Sequence, residues 1–70
     1  MKPATLLRKL RRLATRREWS WSEESGKGSH RKVRLNERFT VMPMHPGDLR
    51  PGTLRTTMRD LGITMSDLED

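Results

Sequence analysis

Two runs of alternating residues decide the fold, and both lie in residues 29–42, which read SHRKVRLNERFTVM. Alternation with a period of two is typical of a β-strand that buries one face. In the first run, Val33 and Leu35 share one side. The other side of that run carries His30, Lys32 and Arg34. The pattern therefore predicts a strand over 29–35 with one apolar and one basic face.

The second run follows Asn36-Glu37, which is a candidate for a tight two-residue turn. It predicts an antiparallel strand over 38–42, with Phe39 and Val41 facing the core. The residues expected to face outward in this strand are Arg38, Thr40 and Met42.

A third strand is predicted just before these two. Trp19-Ser20-Trp21-Ser22 alternates strictly and predicts a strand with both indoles on one face. Because so small a protein has few apolar residues, we expect the indoles to be buried rather than stacked on nucleobases. The stretch 23–28 is polar, contains two glycines and predicts a connection between strands.

Amphipathic helices flank the strands. Pro3 suits a first helical turn, and helical spacing over 3–15 groups five apolar residues: Leu6, Leu7, Leu10, Leu13 and Ala14. The rest of that helix is basic, with Arg8, Lys9, Arg11, Arg12 and Arg16.

A second helix is predicted to begin near Pro51, with Leu54, Met58 and Leu61 on one side. Gly62 is placed to end it, and Ile63 to pack back on its last turn. Thr64 and Asp67 have the spacing of a capping box for one more short turn.

The expected fold class is α+β, in the order α-β-β-β-α. Two helices would cover one face of a three-stranded antiparallel sheet, and a short C-terminal turn would follow. At 70 residues the chain has room for one domain, which we expect to span 1–70.

The charge is strongly positive and unevenly distributed. Lys and Arg number 15 against 9 Asp and Glu, which gives +6, and residues 1–17 contain no acid. Such a field favours a polyanionic partner, most commonly nucleic acid, and leaves an acidic protein or an anionic membrane surface as alternatives. The Arg-rich start also fits a mitochondrial presequence, but its removal would delete about a quarter of the apolar core.

No apolar run approaches the ~20 residues of a membrane span, so we expect no membrane partner. The chain has no Cys, which suits a reducing compartment, and we expect a cytoplasmic protein.

Three blocks of sequence, in order, resemble the HicA family of toxins. They are Gly26–His30 (GKGSH), Val41–His45 (VMPMH) and Asp48–Arg55 (DLRPGTLR). The resemblance implies a small domain like those that bind double-stranded RNA, which cleaves mRNA without a metal or cofactor and is silenced by a HicB-type antitoxin. We expect a monomer when the antitoxin is absent.

The family's catalytic histidine corresponds to His30, although many relatives have a second histidine where this chain has Arg31. Histidine titrates near neutral pH and can take the proton of a ribose 2′-hydroxyl. The residues expected to contact RNA beside it are Lys27, Gly28, Ser29, Lys32 and Arg34. Gly28 has an alternative role as a turn residue, which we favour.

His45 has two interpretations. It packs or caps its loop, or it acts as the general acid that protonates the leaving 5′ oxygen. The alternative for the whole chain is a binding module without chemistry, in which the arginines of the first helix and the sheet cations grip RNA phosphates by shape.

Overall fold

The computed structural model describes residues 1–26 and 28–69, and it confirms the predicted fold class. The elements in chain order are α1 (Pro3–Arg17), β1 (Trp21–Ser25), β2 (His30–Leu35), β3 (Arg38–Pro43), α2 (Pro51–Leu61) and a 3-10 turn (Met65–Leu68). The strands form one antiparallel sheet in the order β1-β2-β3.

Both helices pack on the same face of this sheet. One cluster of buried residues joins the apolar side of α1 to Met58 and Leu61 of α2. The same cluster contains Val33, Leu35 and Met42, which lie on the inner face of the sheet. Neither helix covers the opposite face of the sheet.

The predicted orientation of β3 is wrong. Thr40 and Met42 are buried, whereas Phe39 is 51% exposed and Val41 is 53% exposed. The cause is the register, because Leu35 pairs with Arg38 across the two-residue turn Asn36-Glu37. Directly paired residues of antiparallel strands point to the same face.

This pairing sets Thr40 opposite Val33 and Met42 opposite Arg31, so both join the inner face. The outward prediction holds for neither residue. Thr40 compensates for its buried hydroxyl by donating a hydrogen bond to Asp60 Oδ2 at 2.9 Å.

The first strand begins two residues later than predicted. α1 continues to Arg17, and Glu18 then adopts a left-handed conformation with φ of 57°. Trp19 N donates to Ala14 O at 2.9 Å, as in a Schellman motif. Trp19 thus belongs to the end of α1, and the stretch 23–25, predicted as a connection, forms the second half of β1.

Both indoles are partly buried against the core, in agreement with the prediction of packing. The predicted limits of α2 are confirmed: it begins at Pro51, and Gly62 follows it with φ of 69°. Thr64 and Asp67 form the expected capping box of the 3-10 turn.

Candidate functional site

The exposed side of the sheet, called here the outer face, carries the predicted site residues of β2. Alternation places His30, Lys32 and Arg34 on this side, since Val33 and Leu35 are fully buried on the other. Pairing adds Phe39 and Val41 from β3. From β1 it adds Ser22 and Glu24, the latter opposite Lys32.

His30 lies at the first position of β2 and is exposed. Its backbone carbonyl accepts a hydrogen bond from Gly26 N at 2.9 Å, and its register partner is Pro43. Arg31 points to the inner face, where its Nη1 lies 3.3 Å from Glu23 Oε1. The imidazole is therefore held at one end of the outer face, and the residue that follows it in sequence faces away.

The loop before His30 depends on its glycines. Gly28 has φ of 63°, a conformation that L side chains rarely adopt, so its turn role is clear. A Cβ at Gly26 would lie 3.1 Å from the carbonyl oxygen of His30. Ser29 is exposed beside Gly28, and Lys27, the remaining predicted residue of this loop, lies outside the described residues.

The fold brings the segment with His45 beside the segment with His30. Met44 N donates a backbone hydrogen bond to Ser29 O, which joins the residues just before each histidine. His45 is exposed, and its loop follows directly after β3. Met44 is partly buried against the core, so it anchors this loop. The two histidines thus share one end of the sheet.

Lys32 and Arg34 lie over the ring of Phe39, a residue that the alternation of β3 predicts to face the core. Lys32 Nζ is 4.7 Å from the centroid of Phe39, and Arg34 Cζ is 5.6 Å from it. Cations at this distance from a ring face are attracted by its quadrupole. The outer face is therefore both cationic and aromatic. Phe39 is a candidate site residue that the strand pattern does not predict, and the signal for it is the two-residue turn that sets the register.

A cation of α1, Arg11, is paired with an acidic residue of the sheet. Arg11 holds Glu23 of β1 through two hydrogen bonds of 2.6 and 2.7 Å. These bonds, aided by the indole N–H of Trp21, lower the pKa of Glu23 to about 2. The pKa of Arg11 rises correspondingly, chiefly because of its hydrogen bond to Glu23.

Two more arginines of α1 contact the acidic C-terminal segment. Arg17 Nη2 lies 2.7 Å from Asp67 Oδ1, and Arg16 donates to the backbone oxygen of Asp67 at 2.6 Å. The pKa of Asp67 is lowered, first by the backbone N–H of Thr64 and then by Arg17. Part of the positive charge of α1 is thus used within the fold.

Among the described residues no helix has the length and hydrophobicity needed to cross a bilayer.

Comparison with known protein families gives a match over most of the chain. A family model described as HicA toxin of bacterial toxin-antitoxin matches residues 7–63, which include nearly all of α1, the whole sheet and α2. No curated protein matches the chain.

Proposed function

The chain belongs to the HicA toxin family of bacterial toxin–antitoxin systems, and from that premise we propose that it is a metal-independent endoribonuclease that cleaves mRNA. The observation that carries the proposal is the row of one histidine and two cations on the outer face, in which His30 and Arg34 are exposed and Lys32 is half-buried. His30, Lys32 and Arg34 alternate along one strand, so they lie in a row about 7 Å apart.

His30 is the proposed general base. Its neutral imidazole takes the proton of a ribose 2′-hydroxyl, and the 2′ oxygen attacks the adjacent phosphorus. The bond from phosphorus to the 5′ oxygen breaks, which leaves a 2′,3′-cyclic phosphate on one product and a 5′-hydroxyl on the other. Lys32 and Arg34 stabilise the negative charge that develops on the phosphate oxygens. The loop with Lys27, Gly28 and Ser29 would hold the neighbouring part of the RNA backbone.

The leaving 5′ oxygen needs a proton. His45 is the candidate donor, and the hydrogen bond between Met44 N and Ser29 O supports it by joining its loop to the start of β2. One general base contributes ~10² to 10⁴-fold to a rate, so an enzyme with His30 alone would be slow, and a second histidine would add to it.

The test is cleavage of single-stranded RNA in EDTA by the wild type, His30→Ala and His45→Ala. We expect the wild type to yield cyclic or 3′-phosphate ends, and His30→Ala to yield no product while keeping most of its RNA affinity. If His45 is the acid, its alanine variant cleaves more slowly by ~10²-fold or more. Unchanged cleavage by His45→Ala removes that role and leaves His30 as the base.

Intact RNA with all three proteins, together with salt-sensitive binding, would replace the nuclease with the alternative, an RNA-binding module. Cleavage by His30→Ala at the wild-type rate would contradict the assignment of the base.

The partner proposed for this toxin is a HicB-type antitoxin. Because the outer face is cationic, the surface that silences it should be acidic and should cover His30. Diethyl pyrocarbonate, which modifies accessible imidazoles, should label His30 in the free toxin and not in the complex. Equal labelling of His30 in both would mean that inhibition does not act by covering the site.

A further inference from the structure

We propose that Phe39, flanked by Lys32 and Arg34, is a stacking platform for a nucleobase, and that it makes single-stranded RNA the substrate of this protein. This inference rests on the proposed function and adds the class of RNA that the outer face accepts. The first observation is the exposure of an aromatic ring in a chain with few apolar residues. Phe39 is the one phenylalanine of the sequence, and it is 51% exposed rather than part of the core.

The position of Phe39 is imposed by the register and is therefore shared with the proposed catalytic residues. It pairs directly with Arg34, and its ring also lies under the ammonium group of Lys32, two residues along β2. His30 lies a further two residues along the same strand and on the same face. A nucleotide whose base is stacked on Phe39 would thus have its sugar–phosphate backbone over the row of residues that leads to His30.

The chemistry of the patch matches a single nucleic-acid strand. Every nucleobase presents a flat π surface, so stacking on an aromatic side chain contributes to affinity whatever the base sequence. Lys32 and Arg34 lie over the ring at 4.7 and 5.6 Å from its centroid, so a stacking base displaces them from the ring, and their charges then meet the phosphates on either side of the base. In a duplex the base faces are hidden in the stack, so an aromatic platform selects unpaired bases.

The arrangement of α1 supports the same conclusion. Recognition of a duplex by shape requires cations that are available along a helix and its flanking loops. In this protein Arg11 is engaged by Glu23 and Arg17 by Asp67. The sheet presents Lys32, with Glu24 opposite it, and Arg34 together with an exposed ring, so the ring favours the outer face as the RNA-binding surface.

Val41 provides a matched control. It lies on the same face as Phe39, two residues along β3, and its exposure of 53% is nearly the same. It is apolar but has no π surface. A hydrophobic contact of any kind would be weakened by Val41→Ala as well as by Phe39→Ala, whereas a stacking contact would respond to Phe39 alone.

The experiment measures affinity by fluorescence anisotropy in the His30→Ala background, which keeps the RNA intact. A labelled single-stranded oligonucleotide is compared with a duplex of the same sequence. We expect Phe39→Ala to weaken single-strand binding by about 5- to 150-fold, and Val41→Ala to weaken it by about twofold or less. Phe39→Trp should retain affinity, and the duplex should bind more weakly than the single strand to the parent protein.

Loss of Phe39 without loss of single-strand affinity would overturn the inference, as would equal losses from Phe39→Ala and Val41→Ala. If Phe39→Ala left the RNA affinity unchanged and weakened the binding of an acidic protein partner, that result would also overturn the inference and assign the patch to a protein interface. These results leave His30-dependent cleavage by the wild type intact, so they are distinct from failure of the proposed function, in which the wild type neither cleaves nor binds RNA.

Discussion

Phe39 and Met42 lie on opposite faces of β3, and their side chains should contribute very differently to stability. Met42 is fully buried between the sheet and the helices, so Met42→Ala leaves a cavity and should cost about 2–5 kcal/mol in the free energy of unfolding. Phe39 is half exposed, and Phe39→Ala should cost about 1 kcal/mol or less, mainly from its contacts with Lys32 and Arg34. Urea unfolding followed by tryptophan fluorescence measures both values.

A larger cost for Phe39→Ala than for Met42→Ala would instead support the orientation of β3 that alternation alone predicts. If Phe39 were a core residue, its truncation would cost about 3–5 kcal/mol, and that of Met42 would cost little. The same measurement shows whether Phe39→Ala is folded well enough for the RNA-binding comparison.

The orientation of β3 was predictable from the sequence, but not from β3 alone. Phe39 and Val41 are more hydrophobic than Thr40 and Met42 as a pair, so the pattern of that strand favours the wrong face. Asn36-Glu37 is a candidate two-residue turn in the sequence, and such a turn makes Leu35 and Arg38 direct partners. Since Val33 and Leu35 face inward, Thr40 must face inward as well. In β3 the geometry of the turn prevails over the hydrophobic pattern of the strand.

At the scale of elements, the two glycines at the ends of α2 should respond to alanine in opposite directions. Gly62 has φ of 69°, and a Cβ there would lie 2.9 Å from Arg38 Cδ, so Gly62→Ala should cost about 1–2 kcal/mol. Gly52 lies in the first turn of α2 with no neighbour within 4 Å of a Cβ. Gly52→Ala should therefore stabilise the protein by about 0.4–1 kcal/mol through a less flexible unfolded chain.

Thermal or urea unfolding of the two variants checks this contrast. A stabilised Gly62→Ala would mean that α2 does not end in the left-handed residue. A destabilised Gly52→Ala would mean that α2 begins after this position.

The limits of α2 were predicted correctly because Pro51 and Gly62 are local signals for its start and end. The end of α1 had no such signal. Glu18 takes the left-handed conformation that glycine usually supplies, and Trp19 then packs as the hydrophobic residue of the Schellman motif. Trp19 and the serine and tryptophan residues after it alternate as in a strand, so the pattern predicts a start of β1 that is too early. Trp19 could by pattern end a helix or begin a strand, and its packing decides between the two.

At the scale of the whole molecule, the sequence located the positive charge but not its partners. Arg11 meets Glu23 across 12 positions, and Arg17 meets Asp67 across 50. Such pairs depend on the tertiary fold and leave no local signal. The row of His30, Lys32 and Arg34 was predictable because it lies within one strand, where alternation alone sets the face. A net charge of +6 therefore predicts a polyanionic partner, and the fold shows which cations lie together on one face.

Salt dependence separates the two surfaces on which RNA could bind. The logarithm of affinity for a single strand falls with the logarithm of salt concentration by about 0.7 for each phosphate contact. In the His30→Ala background, Lys32→Ala and Arg34→Ala should each make this slope shallower by about 0.7 if they touch phosphates. Arg8, an exposed cation on α1, is the control, and Arg8→Ala should leave the slope unchanged.

The reverse result would support recognition through α1. A shallower slope for Arg8→Ala, with Lys32→Ala and Arg34→Ala unchanged, would place the RNA on the helix side and remove the phosphates from the vicinity of His30. Since a general base must be within hydrogen-bond reach of the hydroxyl it deprotonates, RNA bound there could not be cleaved by His30. The slope therefore tests whether binding and the proposed chemistry share one face, independently of whether any cleavage is seen.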